Sequence, residues 1–179
     1  MARGVMAFGL GVATALAAGW FAFPRVLYHR SEQPLEFHHQ THAEKSGTAQ
    51  CGACHSFLDD GRFVGIPRIE TCSACHTERI GTSKAEAVLV NSYIKQAKEP
   101  TWRELYGQPA NVWFSHTIHT RLAKLTCQEC HGAYGESNNL QPYERNRLSG
   151  YSRKGMDMDA CEDCHHKHGV EVGCLGCHE

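Results

Sequence analysis

Side chains that normally build a core are scarce. Leu, Ile, Val and Phe make up only 33 of 179 residues, and seven of those lie in one run, Val5 to Phe23. The remaining 26 would suggest disorder if the net charge were also large. It is not, because 18 Lys and Arg face 19 Asp and Glu. A protein-only hydrophobic core is therefore excluded for the part beyond the run, and something other than aliphatic side chains must fill its interior. The chain also lacks the excess of basic residues that a nucleic-acid stripe requires, so no nucleic-acid partner is expected. Its length allows one ordinary domain plus an appendage.

The run Val5 to Phe23 is about 19 uncharged residues, which as a helix covers about 28 Å, close to the roughly 30 Å of a bilayer core. Trp20 and Phe21 sit where interfacial aromatics belong, followed by Arg25 and Arg30. Ala15-Leu16-Ala17 fits a signal-peptidase pattern, but the apolar stretch continues six residues past it, which favours an uncleaved anchor over residues 1–30. Either reading exports the rest of the chain. The expected location is the inner membrane, single-pass, with the remainder on the periplasmic side.

Ten cysteines occur, and none lies outside one repeated motif. The copies are Cys51-Gly-Ala-Cys54-His55, Cys72-Ser-Ala-Cys75-His76, Cys127-Gln-Glu-Cys130-His131, Cys161-Glu-Asp-Cys164-His165 and Cys174-Leu-Gly-Cys177-His178. Cys-x-x-Cys-His is the attachment signature of haem c: two thioethers fix the porphyrin and the adjacent His ligates the iron. Zinc sites often use paired Cys-x-x-Cys but do not need a His directly after every pair, and a disulfide framework gives no reason for five histidines. Five covalent haems c are expected, with a sixth, non-covalent haem left open.

Eight histidines remain. Phe37-His38-His39-Gln40-Thr41-His42 and Phe114-Ser115-His116-Thr117-Ile118-His119 share the pattern Phe-x-His-x-x-His, and each precedes a haem motif by a similar gap, which makes an internal repeat. Residues three apart on a helix share a face yet diverge enough to serve two neighbouring haems. His39, His42, His116 and His119 are therefore read as distal ligands, with each Phe packing on a porphyrin or simply in the interior. For the fifth distal ligand His166 ranks before His168, and Met156 or Met158 comes third. His38 and His29 read as bystanders.

The organisation expected from these positions is an anchor (1–30), a two-haem module (31–80), a helical bridge (81–113) and a three-haem module (114–179). Ser83 to Glu86 reads as a capping box opening a helix over 85–98, with Val88, Leu89, Ile94 and Ala97 on one side and Pro100 ending it. The bridge reads as a spacer or docking surface. Residues 133–155 read as an exposed loop whose Arg145, Arg147, Arg153 and Lys154 face propionates, an acidic partner or water. The fold class is mainly α and coil wrapped around bis-His haems, with little or no sheet.

The doublet Cys164-His165-His166 and the Phe-x-His-x-x-His elements resemble class III multihaem cytochromes. The longer stretch from Glu99-Pro-Thr-Trp102 through Trp113-Phe-Ser-His116 to Met156-Asp-Met158 is similar to the membrane-anchored multihaem subunit of alternative complex III and of menaquinone reductase complexes. That resemblance implies a non-catalytic relay. Its partners would be a soluble class III periplasmic cytochrome c, iron-sulfur and molybdopterin-family subunits, and integral membrane subunits at the quinone, with a lean towards the quinone-reducing complex of sulfate respiration. Two rivals differ in mechanism. A short anchored quinol dehydrogenase would place its first haem motif close behind the anchor, whereas Cys51 follows Phe23 by some 27 residues. A multihaem reductase would need an open or unusual iron, and all five motifs end in His.

Overall fold

The computed structural model describes residues 2–45, 50–170 and 173–178. One helix runs over Ala2–Leu27, long and apolar enough to cross a membrane, with none of its hydrophobic window buried against the rest of the chain. Its π-helical turn, Ala18–Ala22, lies just before Pro24. Proline has no N–H to donate, and its ring crowds the preceding turn, so a widened turn at this place has a local cause.

The chain leaves this helix directly into strand β1 (Tyr28–Ser31), which pairs antiparallel with β2 (Tyr143–Asn146) in the register Tyr28 to Asn146 and Ser31 to Tyr143. The backbone N–H of Arg147 extends the join by donating to the Leu27 carbonyl at 2.8 Å. Just past β1 the chain is held in place: the Gln33 side chain donates to the Arg103 carbonyl at 3.0 Å and accepts from the Arg103 N–H at 3.1 Å, and Leu35 is buried. One expectation is corrected here: 133–155 is not merely a loop, since it supplies β2, and two of its arginines are engaged locally. Arg145 donates to the Gly150 carbonyl, while Arg153 lies over the Tyr28 ring at 5.0 Å and pairs with Glu144.

Beyond the strand pair the elements are short. Helices cover His39–Lys45, Ile69–Ser73, Lys84–Val88, Cys127–His131 and Met158–Lys167, with 3-10 turns at Cys51–Ala53, Gly132–Glu136 and Cys174–Gly176. Capping explains where two of them begin. Thr126 and Glu129 form a full capping box ahead of Cys127, and the Asp157 carboxylate accepts from the Ala160 N–H at 3.0 Å ahead of Cys161. Both caps place a cysteine in a first helical turn.

Among the described residues only Leu35, Ile69, Leu89, Val90 and Leu105 are buried hydrophobics. Three of them, Leu35, Ile69 and Leu89, cluster, with Tyr93, Ile94 and Trp102 packed on them. The bridge is thus the centre of the small protein core rather than a spacer. Its helix starts at Lys84 and widens into a π turn at Leu89–Ile94; Leu89 and Ile94 face the core as expected, but Val90 is buried with them and Val88 is exposed. Ala97, at φ 48°, ends the turn ahead of Pro100.

Candidate functional site

The repeat appears as two nearly identical ring clusters. Phe37 stacks on His42 (centres 4.3 Å apart, planes 18° apart) and meets His39 edge-on at 4.9 Å and 80°. Phe114 stacks on His119 (4.5 Å, 26°) and meets His116 edge-on at 4.9 Å and 88°. The second histidine of each pair donates Nδ1–H to the carbonyl four residues earlier at 2.8 Å: His42 to His38 and His119 to Ser115. A carbonyl can only accept, so Nδ1 carries the proton and Nε2 keeps its lone pair for a metal.

Each of these four histidines faces the histidine of a Cys-x-x-Cys-His motif. His39 faces His55 at 6.5 Å, His42 faces His76 at 6.2 Å, His116 faces His131 at 6.5 Å and His119 faces His165 at 6.1 Å between ring centres. A metal bound at about 2 Å by a nitrogen on either side, each about 1.1 Å from its ring centre, separates two imidazole centres by roughly 6.3 Å. The four distances match that spacing, so the residues fit an iron between each pair. Three pairs are close to parallel, at 19°, 6° and 10°, and the His42–His76 pair is tilted by 58°.

The motif histidines are oriented from behind as well. His55 Nδ1–H donates to the Gly65 carbonyl at 2.8 Å, and His76 Nδ1–H donates to Glu86 Oε1 at 2.9 Å. Burial holds the His39 pKa down at about 4, helped by His55 and His42, and burial likewise lowers His116 and His131. These rings are neutral at neutral pH, the state that ligates. None of the ten cysteines is paired in a disulfide, so each Cys-x-x-Cys pair keeps both sulfurs for thioether bonds.

The thiols also mark which motifs are neighbours. Cys72 lies against Cys54, Cys127 shares a hydrogen bond with Cys51, Cys130 is near Cys164, and Cys161 is near Cys177; with burial as the main cause, these contacts push the thiol pKa values of Cys72, Cys127, Cys130 and Cys161 up. Cys130 and Cys164 line one hollow with Leu125, Glu129 and His168.

Residues 22–102 match the class III cytochrome c family. Over 171 residues the chain is 37% identical to the menaquinone reductase multihaem cytochrome c subunit of Nitratidesulfovibrio vulgaris (strain Hildenborough), covering 90% of this chain and 81% of that one. The chain belongs to this family of multihaem cytochrome c subunits. Membership makes it a carrier of covalently bound haem c and an electron-transfer component rather than a catalyst.

For such a cytochrome the fifth motif stands apart. His178 is bridged through its backbone to Val112, and the Trp113 N–H donates to the Cys177 carbonyl at 2.8 Å, so the motif is tied to the segment leading into His116. His166 is exposed on its helix, His168 lines the hollow beside Cys130, and Met158 is exposed; none of the described ring contacts joins His166 or His168 to His178. Several residues of the site carry no sequence signal. Phe63 stacks on His116 at 4.2 Å and lies 6.5 Å from His55, while Tyr106 meets His131 edge-on at 4.6 Å and Tyr134 meets His39 at 5.2 Å. Together they bind the first and second halves of the site into one aromatic cluster.

Proposed function

We propose that this cytochrome is the periplasmic relay of a menaquinone reductase. It would take electrons from a soluble class III cytochrome c and deliver them to iron-sulfur and molybdopterin-family subunits, which work with integral membrane subunits at the quinone. The observation that carries this reading is the set of four opposed imidazole pairs, 6.1 to 6.5 Å apart. The axial pairs are His39 with His55, His42 with His76, His116 with His131, and His119 with His165. Iron held by two imidazoles supplies one-electron chemistry and leaves no position for substrate. For the fifth attachment site His178 is the proximal ligand, and His166 is proposed as its distal ligand from its place beside His165.

The thiol contacts support a single series of attachment sites: Cys72/75, Cys51/54, Cys127/130, Cys161/164, Cys174/177. In this order the two modules of the sequence join at Cys51 and Cys127, where Phe63, Tyr106 and Tyr134 exclude water around the neighbouring histidines. The N-terminal helix is the single inner-membrane anchor, with the haem-bearing part in the periplasm.

The test is isolation from the native membrane in mild detergent, with identification of co-purifying subunits, a haem count and EPR of the oxidised sample. Co-purification of molybdopterin-family and iron-sulfur subunits with five haems is the expected outcome. Isolation alone, with quinol oxidation by the lone chain, would replace this reading with the anchored quinol dehydrogenase.

A further inference from the structure

The Ser83 to Glu86 cap forms only half of what its sequence announces. Ser83 Oγ accepts from the Glu86 N–H at 3.0 Å, as a helix cap should. The Glu86 carboxylate, which in a capping box turns back to the cap backbone, goes elsewhere. Oε1 accepts from the Ile80 N–H at 2.7 Å and from His76 Nδ1–H at 2.9 Å, and Oε2 accepts from the Gly81 N–H at 2.8 Å. The Glu86 side chain is 10% exposed and that of His76 20%. A Cβ at position 81 would lie 3.0 Å from Oε2, so glycine there is what lets the carboxylate seat. Among the described residues His76 is the histidine that pairs with a carboxylate; the rings of His55, His42 and His119 donate to neutral carbonyls instead.

We propose that Glu86 is a positioning residue for His76, and that its hydrogen bond lowers the reduction potential of the haem attached at Cys72 and Cys75. The inference rests on the reading of His76 as an axial ligand. A full negative charge at Nδ1 draws the ring proton towards it and gives the imidazole imidazolate character, which strengthens donation from Nε2 to iron. The ferric state carries one positive charge more than the ferrous state, so a nearby anion in a poorly hydrated setting favours the ferric state. The same bond fixes the ring plane of His76 and with it the 58° tilt against His42, unlike the near-parallel planes of the other three pairs. In the series of attachment sites, Cys72/75 is one end, and Glu86 sets that end low.

The tilt also supplies the label for the experiment. Nearly parallel imidazole planes split the two iron d orbitals that lie along them and give rhombic low-spin EPR signals, whereas crossed planes leave those orbitals close in energy and give a strongly anisotropic one. The full-length haem-loaded protein in detergent is titrated electrochemically with EPR detection, as wild type, Glu86→Gln, Gly81→Ala and Glu78→Gln. The anisotropic component is expected to rise in potential in Glu86→Gln by at least tenfold in its one-electron reduction constant, about 59 mV. It should rise by less in Gly81→Ala, which keeps the charge but crowds Oε2, and it should stay in place in Glu78→Gln. Glu78 is exposed and paired with Lys95 at 3.1 Å, so its loss removes equal charge without touching His76.

A low-spin Glu86→Gln with an unmoved anisotropic component overturns the inference, as does an equal rise in Glu78→Gln. If Glu86→Gln does not load haem, Gly81→Ala decides by the same component. A His76→Ala variant that keeps every haem low-spin would instead overturn the ligand reading beneath it.

Discussion

Residues 37–42 and 114–119 solve one problem twice, with different backbones. The first sits at the start of an α-helix, His39–Lys45, and the second runs into a π turn, Thr117–Leu122. Both nevertheless hold their Phe and two histidines within a few tenths of an ångström and about 8° of the same arrangement. What is shared is the Nδ1–H to carbonyl bond four residues back and the aromatic wedge between the rings. The ring geometry therefore depends on the local hydrogen bond and the Phe, and tolerates a change of helix type. The surroundings differ. The first copy follows Leu35, a member of the apolar core with Ile69 and Leu89, and faces a histidine backed by Glu86. The second copy is held by rings, Phe63 and His131 against His116, and by Thr117 donating to the Gly61 carbonyl.

The largest break comes from the ligands. His42→Ala and His119→Ala should each turn one low-spin ferric signal high-spin and leave the others, by EPR of the purified protein; a variant that stays fully low-spin shows another ligand in that place. The next separates the surroundings. Ile69→Ala, in the core with Leu35 and beside Cys72, should cost about 2 to 4 kcal/mol in chemical denaturation. The loss should weaken the signals of the His39 and His42 sites before those of the second copy; simultaneous loss would mean that the halves unfold as one. Phe37 is half-buried and Phe114 is 40% exposed, so Phe37→Ala should destabilise more than Phe114→Ala, by about 1 kcal/mol. Equal losses would show that the wedge matters only through its histidines. The smallest effect on the haem signals is expected at Gly61, φ 86°, beside Thr117. Gly61→Ala should cost about 1 to 2 kcal/mol from backbone strain, measured as a shift in denaturation midpoint, without a change in any EPR signal.

The site was legible where chemistry demands a local pattern. Five Cys-x-x-Cys-His pentapeptides and two Phe-x-His-x-x-His elements mark nine of the histidines, and the structure brings eight of these nine face to face in four pairs. What the sequence hid is whatever depends on long-range packing. The partner of each histidine in the repeat is not set by spacing, since His42 meets His76, 34 residues away, and His119 meets His165, 46 residues away. Phe63, Tyr106 and Tyr134 are single aromatics in irregular segments, without period or motif. Glu86 misleads because Ser-x-x-Glu is a genuine capping signal, and only the nearness of His76, Ile80 and Gly81 redirects its carboxylate. In the fold, the N-terminal helix and the bridge helix followed from apolar patterning and a cap signal. The β1–β2 pair joins four-residue segments more than a hundred residues apart, too short and too polar to announce themselves.

That strand pair has a mechanical meaning. A haem domain joined to a bilayer-length helix by a flexible tether would swing freely, and its redox-active edge would meet partners at every angle. Here four residue pairs, the Leu27–Arg147 backbone bond and the Arg153–Tyr28 contact clamp the domain to the top of the helix within a residue of its last turn. The helix then works as a mast rather than a mooring line. Set in a bilayer, such a helix would fix height and heading together, presenting one face of the domain along the membrane surface and the opposite face away from it.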